Sequence, residues 1–151
     1  MTYWRMQLHP DESKGAVKHT VESLSAGYIG LDFAVEVPDL LTTTPDTLPE
    51  TQRNYWGFAH EMREGDHVLL FTHHFPFALV RIAGPYNYIR AAAPEIGVWF
   101  RHFRPVNDVR YYGDFVPNVR TWEPLTMTAT ITPLRDPSSA SFKLIERWLA
   151  G

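Results

Sequence analysis

A chain of 151 residues with 44% hydrophobic content reads as one globular domain, residues 1–151, large enough to bury a core without metals or disulfides. It has no cysteine, which excludes disulfide frameworks, thiolate metal sites and a cysteine nucleophile. Its formal charge of −3 excludes a domain that grips nucleic acid through bulk positive charge, so a nucleic-acid partner would have to meet a local patch and a pocket.

Tyr3 to Leu8 alternates, with Trp4, Met6 and Leu8 on one face, and predicts a first strand. Ser13 to Ser25 carries Val17, Val21 and Leu24 at helical spacing, and Gly27 suits a left-handed cap at the end of that helix. Tyr28 to Val35 predicts the second strand. It opens Gly27-Tyr-Ile-Gly-Leu-Asp-Phe33, which puts a glycine, an acid and two aromatic rings at a strand mouth. Val37 to Thr47 reads as a loop. Thr47-Leu-Pro-Glu50 has capping-box spacing and predicts a second helix to about Arg63, burying Tyr55, Ala59 and Met62.

Gly65-Asp66 turns the chain into His67 to Thr72, an almost wholly apolar run of the kind found in central strands. A turn at His73 to Pro76 leads to a partner strand, Phe77 to Ala83. Gly84-Pro85 precedes a strand over Tyr86 to Arg90, and Ala91 to Pro94 is a loop or half-turn of helix. Val98 to Val106 alternates, with Val98, Phe100, His102 and Arg104 on one side and Trp99, Arg101 and Phe103 on the other. Val109 to Tyr112 is a short strand or its continuation, and Pro117 to Pro124 is irregular. Met127, Ala129 and Ile131 share a face of the last strand. Asp136-Pro137 starts a final helix that buries Phe142, Ile145, Trp148 and Leu149. Short strands interspersed with about three helices predict an α+β fold built on a small, strongly curved mixed sheet or open barrel with the helices outside.

No apolar run reaches membrane-spanning length and the N-terminus lacks a secretory pattern, so we expect a cytoplasmic protein without a membrane partner. Catalytic signatures are lacking. His73-His74 read better as an exposed hairpin turn than as metal ligands, since adjacent residues on a strand point to opposite faces and suit one metal ion badly. Ser23 and Ser25 have no nucleophile-elbow context, and there is no phosphate loop or dinucleotide fingerprint. The acids Asp32, Glu61 and Asp66 are not followed by a lysine at the spacing of a metal-dependent nuclease. The expectation is a binding protein without cofactor or metal, not an enzyme.

The ordered series of Trp4, a helix, Gly27-Tyr-Ile-Gly-Leu-Asp-Phe33, a helix containing Trp56, Gly65-Asp66-His-Val-Leu-Leu70, Gly84-Pro-Tyr-Asn-Tyr88 and the Arg101-to-Val106 strand resembles the PUA-like sensor domains of the EVE and YTH type. The resemblance covers Tyr3 to about Tyr112. Such domains accompany modification-dependent restriction enzymes of McrBC or Mrr type. The likeness implies a PUA-like fold and a reader of DNA that carries a modified base: N6-methyladenine, 5-methylcytosine or 5-hydroxymethylcytosine. The base would be flipped into an aromatic pocket, and a partner or fused nuclease or ATPase would do the chemistry. This chain departs from the pattern at Pro105-Val-Asn-Asp-Val109, where similar sequences continue as a strand ending in tryptophan; Tyr111 and Tyr112 stand near that place.

A flipped-base reader needs ring faces that return the lost stacking, a polar group at the base edge, and cations on the phosphates. By resemblance, Gln7, Leu8 and His9, together with Tyr28, Ile29 and Gly30, border the pocket. Its walls would come from Tyr28, Phe33, Tyr86, Tyr88 and Trp99, with His9 and Asp32 as polar readers. Phe33 and Trp99 suit core and pocket equally, and Asp32 also suits a turn. Arg101, His102 and Arg104, with Arg81, Arg90, Arg110 and Arg120, form either a phosphate track or a solvated strand with local ion pairs. Two other readings fit the same residues: an RNA-binding module of this fold, and a protein-interaction or small-ligand domain.

Overall fold

A computed structural model describes residues 1–10, 12, 14–33, 37–115, 124–126 and 129–151. Arg120, Val35 and Met127, which the sequence reading used, lie outside them. The described residues form an α+β fold of seven strands and four helices. In chain order these are β1 (Tyr3–Gln7), α1 (Ala16–Ala26), β2 (Tyr28–Leu31), α2 (Trp56–His60), β3 (His67–Thr72), β4 (Phe75–Ile82), β5 (Asn87–Tyr88), β6 (His102–Tyr111), α3 (Tyr112–Phe115), β7 (Ile131–Leu134) and α4 (Ala140–Ala150).

The strands make one curved mixed sheet in the order β2-β6-β4-β3-β1-β7. Only β1 and β3 run parallel. β6 is the long element that bends the sheet into a half-barrel. Its first residues pair with β2 on one edge and with β5 on the other, whereas its far half pairs with β4. β3 is buried at all six residues because both faces are covered. Val68 and Leu70 join a core with Trp4, Met6, Ile29 and Phe58. Leu69 and Phe71 join a second core under α4, with Leu144, Ile145 and Trp148.

Asp66 ties the start of β1 to the turn before β3. Its carboxylate accepts from the Trp4 indole Nε1 at 3.0 Å, the Thr2 N–H at 2.9 Å and the Arg63 N–H at 3.0 Å. Gly65, at φ 94°, makes the turn that places it there.

Several expected elements differ in detail. Gly27 caps α1 in the left-handed region at φ 88°, as its position suggests, but the helix buries Ala16, Thr20, Ser23 and Leu24. Val17 and Val21 are 52% and 39% exposed, because small side chains are what α1 turns inward. The second helix is a 3-10 stretch over Glu50–Tyr55 followed by the five-residue α2. The Thr47 hydroxyl donates to the Thr44 carbonyl and so does not act as an N-cap. Ser139 caps α4, accepting from the Phe142 N–H at 3.3 Å, while Asp136 closes a turn on Ser138. β6 starts at His102, four residues later than the alternation suggests, yet that alternation is kept: Val98, Phe100, His102 and Arg104 are buried, and the residues between them half-buried.

Candidate functional site

A cavity of about 250 Å³ opens beside the ends of β1 and β2. Gln7, His9 and Pro10 reach it from the end of β1, and Gly30, Leu31, Asp32 and Phe33 from β2 and the residues after it. Gln52 and Tyr55 come from the 3-10 stretch, Trp99 and Phe100 from the chain entering β6, and Glu12 and Thr130 complete the lining. Pro10, Glu12 and Asp32 are exposed and mark the mouth, whereas His9, Phe33, Tyr55 and Phe100 are buried within. Two larger hollows, of about 440 and 860 Å³, lie against β7 and α4 and hold none of the predicted site residues.

The walls are aromatic. His9 packs on Phe100 at 4.6 Å between ring centroids and stands edge-on to Trp99 at 6.0 Å. Trp99 also covers His19 at 3.9 Å, and Glu22 accepts from its indole Nε1 at 3.1 Å. Phe33 meets Tyr55 at 5.0 Å. The Tyr55 hydroxyl bonds to the Thr130 hydroxyl at 2.8 Å. Gly30 is required by close approach: a Cβ there would fall 2.4 Å from the His102 carbonyl and 2.7 Å from the Phe100 Cβ.

His9 is unusual in three ways. Its backbone is left-handed at φ 55°, immediately before Pro10. Its ring is buried and its Nε2 makes no hydrogen bond. Burial, reinforced by neighbouring His19 and partly opposed by the His19 backbone, lowers its pKa to about 4. His9 is therefore a neutral imidazole at pH 7, one nitrogen a donor and the other an acceptor.

Of the eleven residues predicted to border or line a base pocket, Gln7, His9, Gly30, Asp32, Phe33 and Trp99 line this cavity, and Leu8, Tyr28, Ile29, Tyr86 and Tyr88 do not. Tyr28 lies edge-on to Phe103, and Ile29 is wholly buried in the core. Tyr86 is a core residue whose hydroxyl accepts from the Leu40 N–H at 2.9 Å and is hydrogen-bonded to His102 Nδ1 at 2.7 Å. Burial holds the pKa of His102 down at about 4. Tyr88 packs on the same imidazole, which in turn meets Phe33 edge-on at 5.0 Å. The two tyrosines thus stand one layer behind the cavity wall.

The predicted phosphate track is not one surface. His102 is wholly buried and Arg104 is 4% exposed, so neither is placed to meet phosphate. Arg104 instead donates to the carbonyls of Met62 at 2.8 Å, Phe58 at 3.0 Å and Gly84 at 3.1 Å, tying α2 and the turn before β5 to β6. Arg110 bonds the Trp148 carbonyl at 3.0 Å and pairs with Asp108 at 3.4 Å, at the α4 end of the sheet. Arg81 is exposed in β4, opposite Asn107, again away from the cavity. Arg101 is at the mouth, where its Nε and Nη2 both reach Asp32 Oδ1, at 2.8 and 2.6 Å. Exposed Arg90 follows Ile89, whose N–H bonds the Arg101 carbonyl at 2.8 Å.

The sequence reading missed Gln52, Tyr55, Phe100 and Thr130. Phe100 was legible as a buried alternation residue. The other three come from segments that meet only in three dimensions. Among the described residues no group of three His, Asp or Glu side chains is arranged to hold a metal ion, and no helix is long and apolar enough to cross a membrane. No protein-family model and no curated protein matches the sequence.

Proposed function

We propose that this protein is a non-catalytic, cytoplasmic nucleic-acid reader that takes a single modified base, extruded from DNA, into the cavity between β1 and β2. The observation that carries the reading is the cavity itself: rings from four chain segments around one glycine-floored concavity, at the junction where the EVE/YTH resemblance implies a base pocket. Its volume of about 250 Å³ is below the roughly 300–1,000 Å³ of sites for drug-sized ligands, which suits one ring system. Extrusion costs a few kcal/mol, and stacking returns about 1–3 kcal/mol per base, so walls and edge contacts together set the balance. Cutting would fall to a partner or fused nuclease or ATPase.

A small-ligand reading is favoured by the thin cationic rim: of the six predicted cations that the structure describes, Arg101 meets the mouth at Asp32 and Arg90 is exposed on the segment paired beside it. One experiment separates the two. Labelled DNA and RNA oligonucleotides carrying N6-methyladenine, 5-methylcytosine, 5-hydroxymethylcytosine or no modification are titrated at two salt concentrations, beside the free nucleosides. The reader binds one modified strand at least tenfold more tightly than its plain counterpart. Two phosphate contacts give a log–log salt slope of about −2. Trp99→Ala loses the preference and keeps weak general binding. Equal affinity for modified and plain strands ends the proposal, and tight binding of a free nucleoside alone favours the small-ligand reading.

A further inference from the structure

We propose that Gln52 determines specificity in this cavity, its carboxamide pairing with the hydrogen-bonding edge of the bound heterocycle beside the imidazole of His9. The inference rests on the base-reader reading of the same cavity. Gln52 belongs to the 3-10 stretch Glu50–Tyr55, and its backbone is satisfied within the turn, its N–H donating to the Pro49 carbonyl at 2.8 Å. Its side chain is not satisfied: Oε1 is buried and makes no hydrogen bond. Folded proteins leave few buried polar atoms unpaired, because each forfeits its hydration without return. The neighbouring polar groups do not relieve it. The Tyr55 and Thr130 hydroxyls, which line the same cavity, bond to each other at 2.8 Å.

His9 carries the same signature from a different element. Its Nε2 is buried and unpaired, and its left-handed backbone before Pro10 is a second unfavourable feature at the same place. A single tolerated defect would call for no explanation. Two unpaired polar groups from separate segments, both lining one ring-walled cavity, point to a ligand that completes them. The matching chemistry is a neutral heterocycle with a donor beside an acceptor, the pattern on the edge of a nucleobase. A carboxamide offers both kinds of group, and turning its last torsion exchanges them. Among the described residues no lysine or arginine lines the cavity, which argues against an anionic group inside it.

The test uses Gln52→Leu and Gln52→Glu in the full chain, with thermal melting and the oligonucleotide panel as separate readouts. Leucine removes the unpaired carbonyl at similar volume, so Gln52→Leu melts about 2–4 °C higher than the wild type. The same variant loses at least tenfold of the preference for the favoured base and keeps general strand binding within about twofold. Gln52→Glu, which retains acceptors and loses the donor, discriminates against keto-bearing bases relative to amino-bearing ones. A lower melting temperature for Gln52→Leu overturns the inference, since it would give Gln52 a structural role. So does wild-type discrimination retained in Gln52→Leu. A wild type with no preference among bases overturns the base-reader reading, and this inference with it.

Discussion

Arg104 shows how far a residue's chemistry depends on its neighbours. In the sequence it belongs to the densest basic run of the chain; in the fold it is a buried bracket for three carbonyls. A charged hydrogen bond contributes about 1.5–3 kcal/mol, and a buried carbonyl left unpaired costs about 1–3 kcal/mol. Arg104→Ala is therefore expected to destabilise the domain by about 3 kcal/mol or more in urea titration, with any binding loss tracking the unfolded fraction. Were Arg104 a phosphate contact, the variant would fold normally and bind all strands more weakly. Arg101 and Asp32 make a similar point. The sequence reading gave one to phosphate and the other to the base, yet each is the other's partner across the cavity mouth.

At the scale of elements, β2 and the segment entering β6 define the cavity together, and Gly30 sets their spacing. Because the atoms nearest its missing Cβ include a backbone carbonyl of β6, relief cannot come from a side-chain rotation alone. Gly30→Ala is expected to displace Phe100 and to cost about 1–3 kcal/mol of stability by overpacking. Ligand affinity should fall further than the stability loss explains, as checked by urea titration beside the binding assay. Alternation along β1 and β6 and the apolar run of β3 were legible because they report local geometry, and the curved α+β class followed from them. The boundary of the second helix was not legible, because the Thr47-to-Glu50 pattern was overridden by a turn in which Thr47 bonds backward. His9, Asp32, Phe33 and Trp99 were within reach because they adjoin strand ends. Gln52 and Thr130 were not, because their approach to β1 depends on how distant segments pack.

At the scale of the whole molecule, buried histidines tie stability to pH. His9 and His102 both have folded-state pKa values lowered to about 4 from an ordinary 6.5. The unfolded chain therefore binds more protons between those limits. Their contribution is complete above pH 6.5 and is lost as pH falls toward 4. Melting temperature should decline steadily across that window. His9→Asn, which tolerates the left-handed backbone, should flatten the decline. An unchanged melting temperature from pH 6.5 to 4.5 would contradict this account.

β6 also has a consequence for how the chain assembles. This one strand serves as seam for β2, β5 and β4, partners that stand up to about eighty residues apart in the chain. β4, β3, β1 and β7 pair with one another without it, but β2 and β5 join the sheet only through it. The hollow beside the ends of β1 and β2 is therefore complete only when β6 has paired on both sides.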